Sequence, residues 1–360
     1  MKELRTPQDS AVALPVQWNL RAYPATAITL LHDVLVEEGI DPEPVLAAAG
    51  LALAQAQSPD TRVSRQQVLA AYKAVAGMDL APTFAFRCGA HMRLTYFGMY
   101  GFALMSAPDL RTMLQFSVEQ QGLTAALVRL WAQAHDSEVA LGVDPLSHVQ
   151  IDARVYRFLV EMHFGVAQRA WCDLTGAEFR PLRLGVTWPA SDSTREVVAS
   201  LGAEARFAQS DNAFVFDAHW LDSRPQFGNL IAHDSVRNVC AVLSAQLKEQ
   251  SGLAAQVGKL MVADYGRVPG IERMAATLGM SERELRRRLH AEGTSYREIH
   301  DDVRAQVAMK YLRDTSLPVE SIAAAVGFND AANFRRAFRR WTGKTPGEYR
   351  AATAPADKES

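Results

Sequence analysis

Arginine side chains recur at helical spacing in two segments near the end of this 360-residue sequence. At 100° per residue, the first segment turns Leu285 and Leu289 to one side, and the second does the same with Phe334, Phe338 and Trp341. The opposite faces carry Arg283, Arg286, Arg287 and His290 in the first segment, and Ala332, Asn333, Arg335, Arg336, Arg339 and Arg340 in the second. A guanidinium donates paired hydrogen bonds to a phosphate or to guanine O6 and N7, so both faces suit the major groove of DNA.

The same two segments follow an internal repeat. A single arginine-rich helix is usually explained as a core helix with a solvated outer side. Here, residues 271–279 (IERMAATLG) align with residues 319–327 (VESIAAAVG) at an offset of 48 residues, with the Glu, two Ala and the Gly identical. One structural unit used twice, each time before an arginine-rich helix, favours DNA binding over the solvated-face explanation.

Each copy of the repeat predicts a helix, a tight turn and a second helix. The apolar residues follow the i, i+3, i+4, i+7 rule, and Gly279 and Gly327 stand where a helix needs a left-handed cap. Ser281 with Glu284 predicts a capping box, and Asp330 can cap the helix that follows Gly327. We therefore predict helix-turn-helix units at about residues 271–291 and 318–341.

A long helix is predicted between the two units. Ser295 and Glu298 form a second capping-box pattern, and the helix can run to about Leu312 with Ile299 and Val303 on its core side. Some eighteen residues make a rod of about 27 Å. With the width of each unit added, this rod fits two recognition helices that lie one turn of DNA apart, roughly 34 Å.

These C-terminal residues resemble the DNA-binding domain of the AraC/XylS family over about Leu253 to Arg350. The matching motifs are Ala275-x-x-Leu-Gly-Met-Ser281-x-x-x-Leu285, Gly293-Thr-Ser-Tyr296, Ile322-Ala323, Gly327-Phe328, Phe334, Phe338, Gly343-x-Thr345-Pro346 and Tyr349-Arg350. The resemblance implies base-facing positions at Arg283, Arg286 and Arg287, and at Ala331, Ala332, Asn333 and Arg336. The two alanines depart from the polar residues of other members, so we expect the second helix to work through phosphates and thymine methyl groups.

The upstream residues predict a mixed α+β body. Helical periodicity occupies the first third, and alternation on both sides of residues 134–137 predicts a hairpin. A long helix at about 152–171 is followed by strand-like segments at 182–188 and 207–216, the second with a turn expected at residues 210–212. We predict an arm at 1–21, a body at 22–250, the DNA-binding domain at 251–350 and a disordered tail at 351–360. The charge is uneven: residues 271–350 hold 15 Lys and Arg against 11 Asp and Glu, whereas the whole chain holds 38 against 40.

The body in turn resembles, over roughly Ala22 to Leu247, the effector-binding domain of the ornithine- and arabinose-sensing branches of this family. The resemblance is carried by Tyr96-Phe-Gly98-Met-Tyr-Gly101-Phe-Ala-Leu-Met-Ser106-Ala-Pro108-x-Leu110, by Leu201-Gly202 and by Phe214 to Pro225. It implies a small-molecule effector and a homodimer. For Gly98, Gly101 and Pro108 we expect roles in loop and helix-start geometry rather than ligand contact, and for His91, His163, Trp171 and Trp188 we expect core positions.

The sequence thus predicts a cytoplasmic, effector-controlled transcription regulator that binds promoter DNA and, by the resemblance, works with RNA polymerase as an activator rather than a repressor. The alternatives are a regulator whose body only dimerises and an enzyme fused to a DNA-binding tail. Cys88, Cys172 and Cys240 are too few and scattered for a four-Cys zinc site, and Gly-x-Ser-x-Gly, P-loop and His-Glu-x-x-His motifs are absent. No membrane contact, metal or cofactor is expected.

Overall fold

The computed structural model describes residues 18–146, 148, 150–176, 179–190, 192–249, 252–263, 269–292, 294–342 and 345–353. Most of the predicted arm and tail, together with Ser251, Gly293 and Gly343, lies outside these residues. One large apolar core runs through the N-terminal part, from Trp18 to Cys240. Two smaller cores lie in the C-terminal part.

Helices dominate the chain up to Leu123, as the helical periodicity predicts. The elements in chain order are β1 (Tyr23–Pro24), α1 (Thr26–Glu37), α2 (Glu43–Ala49), α3 (Leu53–Ala56), β2 (Arg62–Val63), α4 (Arg65–Ala76), α5 (Phe84–His91), a 3-10 helix (Leu94–Phe97), α6 (Gly98–Ser106), α7 (Leu110–Glu119) and a second 3-10 helix (Gln121–Leu123). Strand β1 pairs antiparallel with β2. Ser64 and Gln67 cap the start of α4 reciprocally, each side chain accepting from the backbone N–H of the other.

A five-stranded sheet and three helices complete the N-terminal part. They are β3 (Val128–His135), β4 (Glu138–Pro145), α8 (Ala153–Thr175), β5 (Arg183–Gly185), α9 (Asp192–Leu201), β6 (Glu204–Arg206), β7 (Ala213–Asp217), a 3-10 helix (Ala218–Asp222) and α10 (Leu230–Glu249). The strand order is β3-β4-β7-β5-β6, and the β5–β6 pair alone of these is parallel. Trp171 of α8 packs against Phe216 of β7, with ring centroids 4.4 Å apart. The predicted α+β class is confirmed.

The structure differs from the predicted strands and helices in several places. The segment 207–216 forms a strand only from Ala213 onward, after bends at the predicted turn of residues 210–212. Before this turn Ala208 adopts a positive φ of 52°, and the buried side chain of Asn212 bonds to Thr187, Val143 and Tyr156. Helix α6 was not predicted, because its apolar residues lie on every side: Tyr100 is buried, whereas Met99 and Phe102 are exposed. An amphipathic period cannot reveal such a helix.

The C-terminal part is entirely helical in its described residues. Its helices are α11 (Leu253–Ala263), α12 (Ile271–Thr277), α13 (Glu282–Ala291), α14 (Tyr296–Asp314), α15 (Val319–Ala325), α16 (Ala331–Thr342) and α17 (Pro346–Thr353). We call α12 with α13 the first unit and α15 with α16 the second unit. Helix α14 joins them and contributes Ile299 and Val303 to the core of the first, and Ala308 and Leu312 to the core of the second.

At two places the described residues depart from the predicted boundaries. Trp18, expected in the arm, is buried in the N-terminal core and its ring lies 4.0 Å from that of His148. Residues 351–353, expected in the disordered tail, continue helix α17. Tyr349 of that helix packs on Phe338, with ring centroids 5.5 Å apart, which explains why the helix extends beyond the predicted domain end. The other domain boundaries stay predictions.

Candidate nucleic-acid interface and buried cavity

Helix α13 has the two faces that its sequence predicts. Leu285 and Leu289 are fully buried in the core of the first unit, while Arg283, Arg286 and Arg287 are exposed on the opposite side. Gly279 adopts the predicted left-handed conformation, with φ of 67°, and turns the chain from α12 into α13. The first unit therefore presents three adjacent guanidinium groups to solvent on one rigid helix.

In each of the two predicted capping boxes, only one of the two expected hydrogen bonds forms. Ser281 accepts from the N–H of Glu284, at 3.2 Å, but the Glu284 carboxylate accepts from Arg287 and Arg288 instead of returning to Ser281. These two guanidinium groups lower the pKa of Glu284 to about 2. Likewise, Ser295 caps α14 by accepting from the N–H of Glu298, and the described contacts of Glu298 include no return to Ser295. The arginines attract the carboxylate of Glu284 more strongly than the helix end does.

Helix α16, like α13, has one buried face and one exposed face, but the residues of its exposed face differ. Asp330 caps it by accepting from the N–H groups of Ala332 and Asn333, and Gly327 makes the preceding turn with φ of 77°. Phe334, Phe338 and Trp341 are buried, as predicted. The exposed residues are Ala332, Asn333, Arg335, Arg336, Arg339 and Arg340. Ala331 differs from them, because it is half-buried against the core of the second unit.

The arginines of the two helices have different protein partners. In α13, Arg286 pairs with Glu282 and Arg287 with Glu284, within one turn of the same helix. In α16, the carboxylate partners come from other helices: Arg335 contacts Glu320 of α15 at 2.6 Å and Arg340 contacts Asp301 of α14 at 3.1 Å. Among the described residues, Arg283 and Arg339 have no such partner. Exposed pairs of this kind are worth little, so each can exchange its carboxylate for a phosphate.

A cavity of about 1000 Å³ that is open to solvent at one edge occupies the N-terminal part. Its wall comes from β1, α1, β2, α4, the two 3-10 helices Leu94–Phe97 and Gln121–Leu123, α6, α7, β3, β4, α8 and α10. His163 and Trp171 lie in this wall, and Trp171 belongs to the core as well. Trp188 is a core residue outside the wall, bonded to Thr194 at 3.0 Å, and His91 is exposed beside Glu37. The expected core position is thus wrong for His91 and incomplete for His163.

The glycines of the α6 segment have the backbone roles predicted for them. Gly98 has φ of 53°, and a Cβ on Gly101 would lie 1.7 Å from the carbonyl oxygen of Leu94. This close approach seats α6 against the preceding 3-10 helix. Gly98 also lines the cavity.

Two family profiles match these two parts of the chain. The profile described as the arabinose-binding domain of AraC transcription regulators, N-terminal, matches residues 39–225, more than half of the sequence. A helix-turn-helix domain profile matches residues 274–352. The chain belongs to the AraC family of transcription regulators. It is accordingly a DNA-binding regulator that joins a ligand-binding type of domain to a double helix-turn-helix domain.

Named relatives of this AraC-family chain are transcription regulators. It is 29% identical to the ornithine utilization regulator of Pseudomonas aeruginosa over 342 residues, 94% of this chain and 99% of that protein. It is 27% identical to VqsM of the same species over 278 residues, 73% of this chain and 82% of that protein. The crystal structure of the regulator CdpR from Pseudomonas aeruginosa matches with a TM-score of 0.48 and 23% identity, covering 91% of this chain and 98% of that chain.

The structure adds two arginines that the sequence did not single out in this AraC-family regulator. Arg297 and Arg304 of α14 line a cleft of about 680 Å³ beside α16, together with Arg336 and Arg340. Arg297 is exposed, whereas Arg304 donates to the carbonyl of Gly327 and lies 4.8 Å from the ring of Phe328. Their spacing of seven residues puts both on one face of α14, a signal that was missed because only the apolar face of that helix was considered.

Two absences concern only the part of the chain that the structure describes. Within it, no helix has the length and apolar character needed to cross a membrane. Nor does it hold any cluster of three or more His, Cys, Asp or Glu side chains arranged to ligate a metal ion.

Proposed function

We propose that this regulator reads promoter DNA with α13 and α16, one in each of two successive major grooves. The observation that carries the proposal is the repeated unit: each helix buries an apolar back and exposes an arginine front, and α14 contributes to both cores. The proposed contact residues are Arg283, Arg286, Arg287, Ala331, Ala332, Asn333, Arg335, Arg336, Arg339 and Arg340. Arg297 joins them as a phosphate contact from the linking helix.

The test is binding of the full chain to its own upstream promoter DNA, measured by fluorescence anisotropy across a salt titration. We expect tight binding with a steep salt slope and much weaker binding to a scrambled duplex of equal length. Equal affinity for both duplexes at every salt concentration would contradict sequence-specific recognition.

We further propose that a small molecule in the N-terminal cavity controls this binding, and that the liganded regulator recruits RNA polymerase as an activator in the cytoplasm. The cavity is large enough for a ligand of drug size, and most of its wall belongs to the part of the chain that matches the arabinose-binding profile. The chain then transmits binding without converting the ligand. Turnover of a bound effector by purified protein, or a reporter gene repressed rather than activated by it, would count against this.

A homodimer is the proposed assembly, with α10 as its interface. Ile231, Val239 and Val242 lie on one face of α10 at spacings of eight and three residues, and each is exposed, Ile231 by 80%. Phe227 and Leu230 extend this apolar face. In sedimentation equilibrium we expect the Ile231→Glu variant to be monomeric where the wild type is dimeric; two dimers of equal stability would refute the interface.

A further inference from the structure

The wall of the N-terminal cavity has a chemistry that differs from that of a site for a sugar or an amino acid. Of the described residues that line it, none is Asp or Glu, so a buried ammonium group would find no counter-charge there. Four methionines contribute flexible, polarisable surface: Met92, Met99, Met113 and Met162. The wall therefore favours a hydrophobic ligand.

Several polar groups of the wall are already bonded to the protein itself. The Tyr100 hydroxyl donates to the carbonyl of Ser117 at 3.0 Å, and the Thr124 hydroxyl donates to that of Gln121 at 2.9 Å. The Gln121 side chain bonds to both the N–H and the carbonyl of Leu130. A sugar placed against these groups would find them occupied, and each of its hydroxyl groups left without a partner would cost free energy.

The Tyr72 hydroxyl and Nε2 of His163 are two of the polar atoms of the wall that lack a protein partner among the described residues. The side chains of Arg21, Thr95, Tyr96 and Gln246 also lack one, but these residues are exposed. The Tyr72 and His163 atoms remain accessible although both residues are shielded from bulk solvent. Burial lowers the pKa of His163 to about 4, so its ring is neutral at pH 7. Nδ1 donates to the carbonyl of Leu159 at 2.7 Å, which leaves Nε2 as a lone-pair acceptor that faces the cavity.

We propose that the cavity takes a hydrophobic molecule that has no positive charge and carries a hydroxyl group, with this hydroxyl donating to Nε2 of His163 and an oxygen of the same molecule accepting from Tyr72. The proposal rests on the effector role proposed above and specifies its ligand. A hydroxyl supplies the donor that a carboxylate lacks, and an apolar body fills the methionine-lined remainder.

The first test compares four probes on the full chain: 1-decanol, decylammonium, L-ornithine and L-arabinose. We expect 1-decanol to raise the melting temperature with the logarithm of its concentration once that exceeds Kd, and decylammonium, which has the same chain, to bind about a hundredfold more weakly. Ornithine and arabinose should produce no shift. Binding of decylammonium, ornithine or arabinose as tight as that of decanol, or no shift with decanol, would overturn the proposed ligand class.

The second test uses Tyr72→Phe and His163→Phe, with His135→Phe and Tyr311→Phe as controls outside the cavity wall. Because the Tyr72 hydroxyl has no protein partner, Tyr72→Phe should keep the melting temperature of the unliganded protein and weaken decanol binding about threefold to tenfold. The controls should bind decanol like the wild type. Equal decanol affinity in all five proteins would show that these two atoms do not hold the ligand.

DNA binding separates this inference from the proposed function. If decanol binds through Tyr72 and His163 but promoter affinity and half-site use stay unchanged, the ligand class stands and the effector coupling fails. If the chain without any probe does not bind its promoter, the DNA-binding proposal fails independently of the cavity.

Discussion

The first and second units follow one plan but hold their arginines differently. In the first unit, the carboxylates that pair with Arg286 and Arg287 sit on the same helix, so the arginine front is self-contained. In the second unit, Arg335 and Arg340 are tied to α15 and α14, and the exposed face begins with Ala332 rather than with an arginine. The comparison suggests a division of work, with bases read by α13 and phosphates held by α16.

The largest expected effect concerns the independence of the two units. Phe338 is fully buried beside Phe334 and Tyr349, so Phe338→Ala should destabilise the second unit by about 3–5 kcal/mol. The two cores share no residue. Hydrogen exchange should therefore show loss of protection in α15 to α17 while α12 and α13 keep theirs.

The matched control for this variant is Phe102→Ala, because Phe102 is 44% exposed and lies outside these cores and outside the proposed dimer interface. It should leave exchange in both units unchanged. If Phe338→Ala exposes both units equally, they form one cooperative body, and the comparison between them loses its meaning.

The second prediction contrasts one arginine from each unit. Arg287→Ala should lose about 1–3 kcal/mol of affinity for the preferred site and relax the choice of base at one position. Arg339→Ala should weaken binding to all sequences alike and reduce the salt slope by about one. Competition binding against a library of single-base variants measures both effects, with the exposed Arg129 of β3 replaced by Ala as a control. Uniform loss for both variants would abolish the proposed division.

The third prediction concerns α14, which both units share. Burial, aided by Asp301 and Glu298, raises the pKa of Asp302 to about 6. The folded state then holds this proton at pH values where the unfolded state has released it, so stability falls as pH rises from about 4 to 6 and stays lower above that range.

Asp302→Asn should remove this dependence and stabilise the protein at pH 7 by at most about 3 kcal/mol. Urea unfolding at pH 4, 5, 6 and 7 gives the difference. Asp301→Asn is the informative companion, because Asp301 pairs with Arg340 and its loss should weaken the second unit instead. A difference between Asp302→Asn and the wild type that does not change with pH would exclude Asp302 as the titrating group.

The amount that the sequence could predict also differs between regions. In the two units, the apolar spacing and the turn glycines predicted α12, α13, α15 and α16 to within a few residues, because local periodicity and local turn geometry determine them. Which arginines have free guanidinium groups was not predictable, since partners such as Asp301 and Glu320 come from other helices. The contact of Glu284 with Arg287 and Arg288, by contrast, is local, and the competition between these arginines and the helix end for one carboxylate was not predicted.

The periodicity of apolar residues in the sequence could not predict the cavity. Its wall joins residues from β1 to α10, and lining it gives His163 and Trp171 the same buried, apolar surroundings that a core position gives. A histidine on an apolar face is consistent with either role. What separates them is the free Nε2 atom, and that depends on which neighbours the fold leaves out.

The smallest expected effect concerns the path by which ligand binding in the N-terminal part would affect the first unit rather than the second. Glu292, at the end of α13, accepts from the N–H groups of Leu253 and Ala254 at 2.8 and 2.9 Å, so it caps α11, the helix that follows the N-terminal domain. Helix α17, which packs on the second unit, is capped locally by the Thr345–Glu348 pair. We therefore expect a shift of α11 to reach α13 through Glu292.

Glu292→Ala should cost about 1 kcal/mol at the start of α11 and speed amide exchange there about fivefold. It should also reduce the ligand-induced change in promoter affinity while leaving the affinity without ligand nearly constant, because Glu292 contacts neither arginine front. Thr345→Ala removes a cap of similar worth from α17 and should leave the ligand response intact. If both variants reduce the response equally, the signal passes through the stability of the whole C-terminal part, and the first unit has no privileged connection to the cavity.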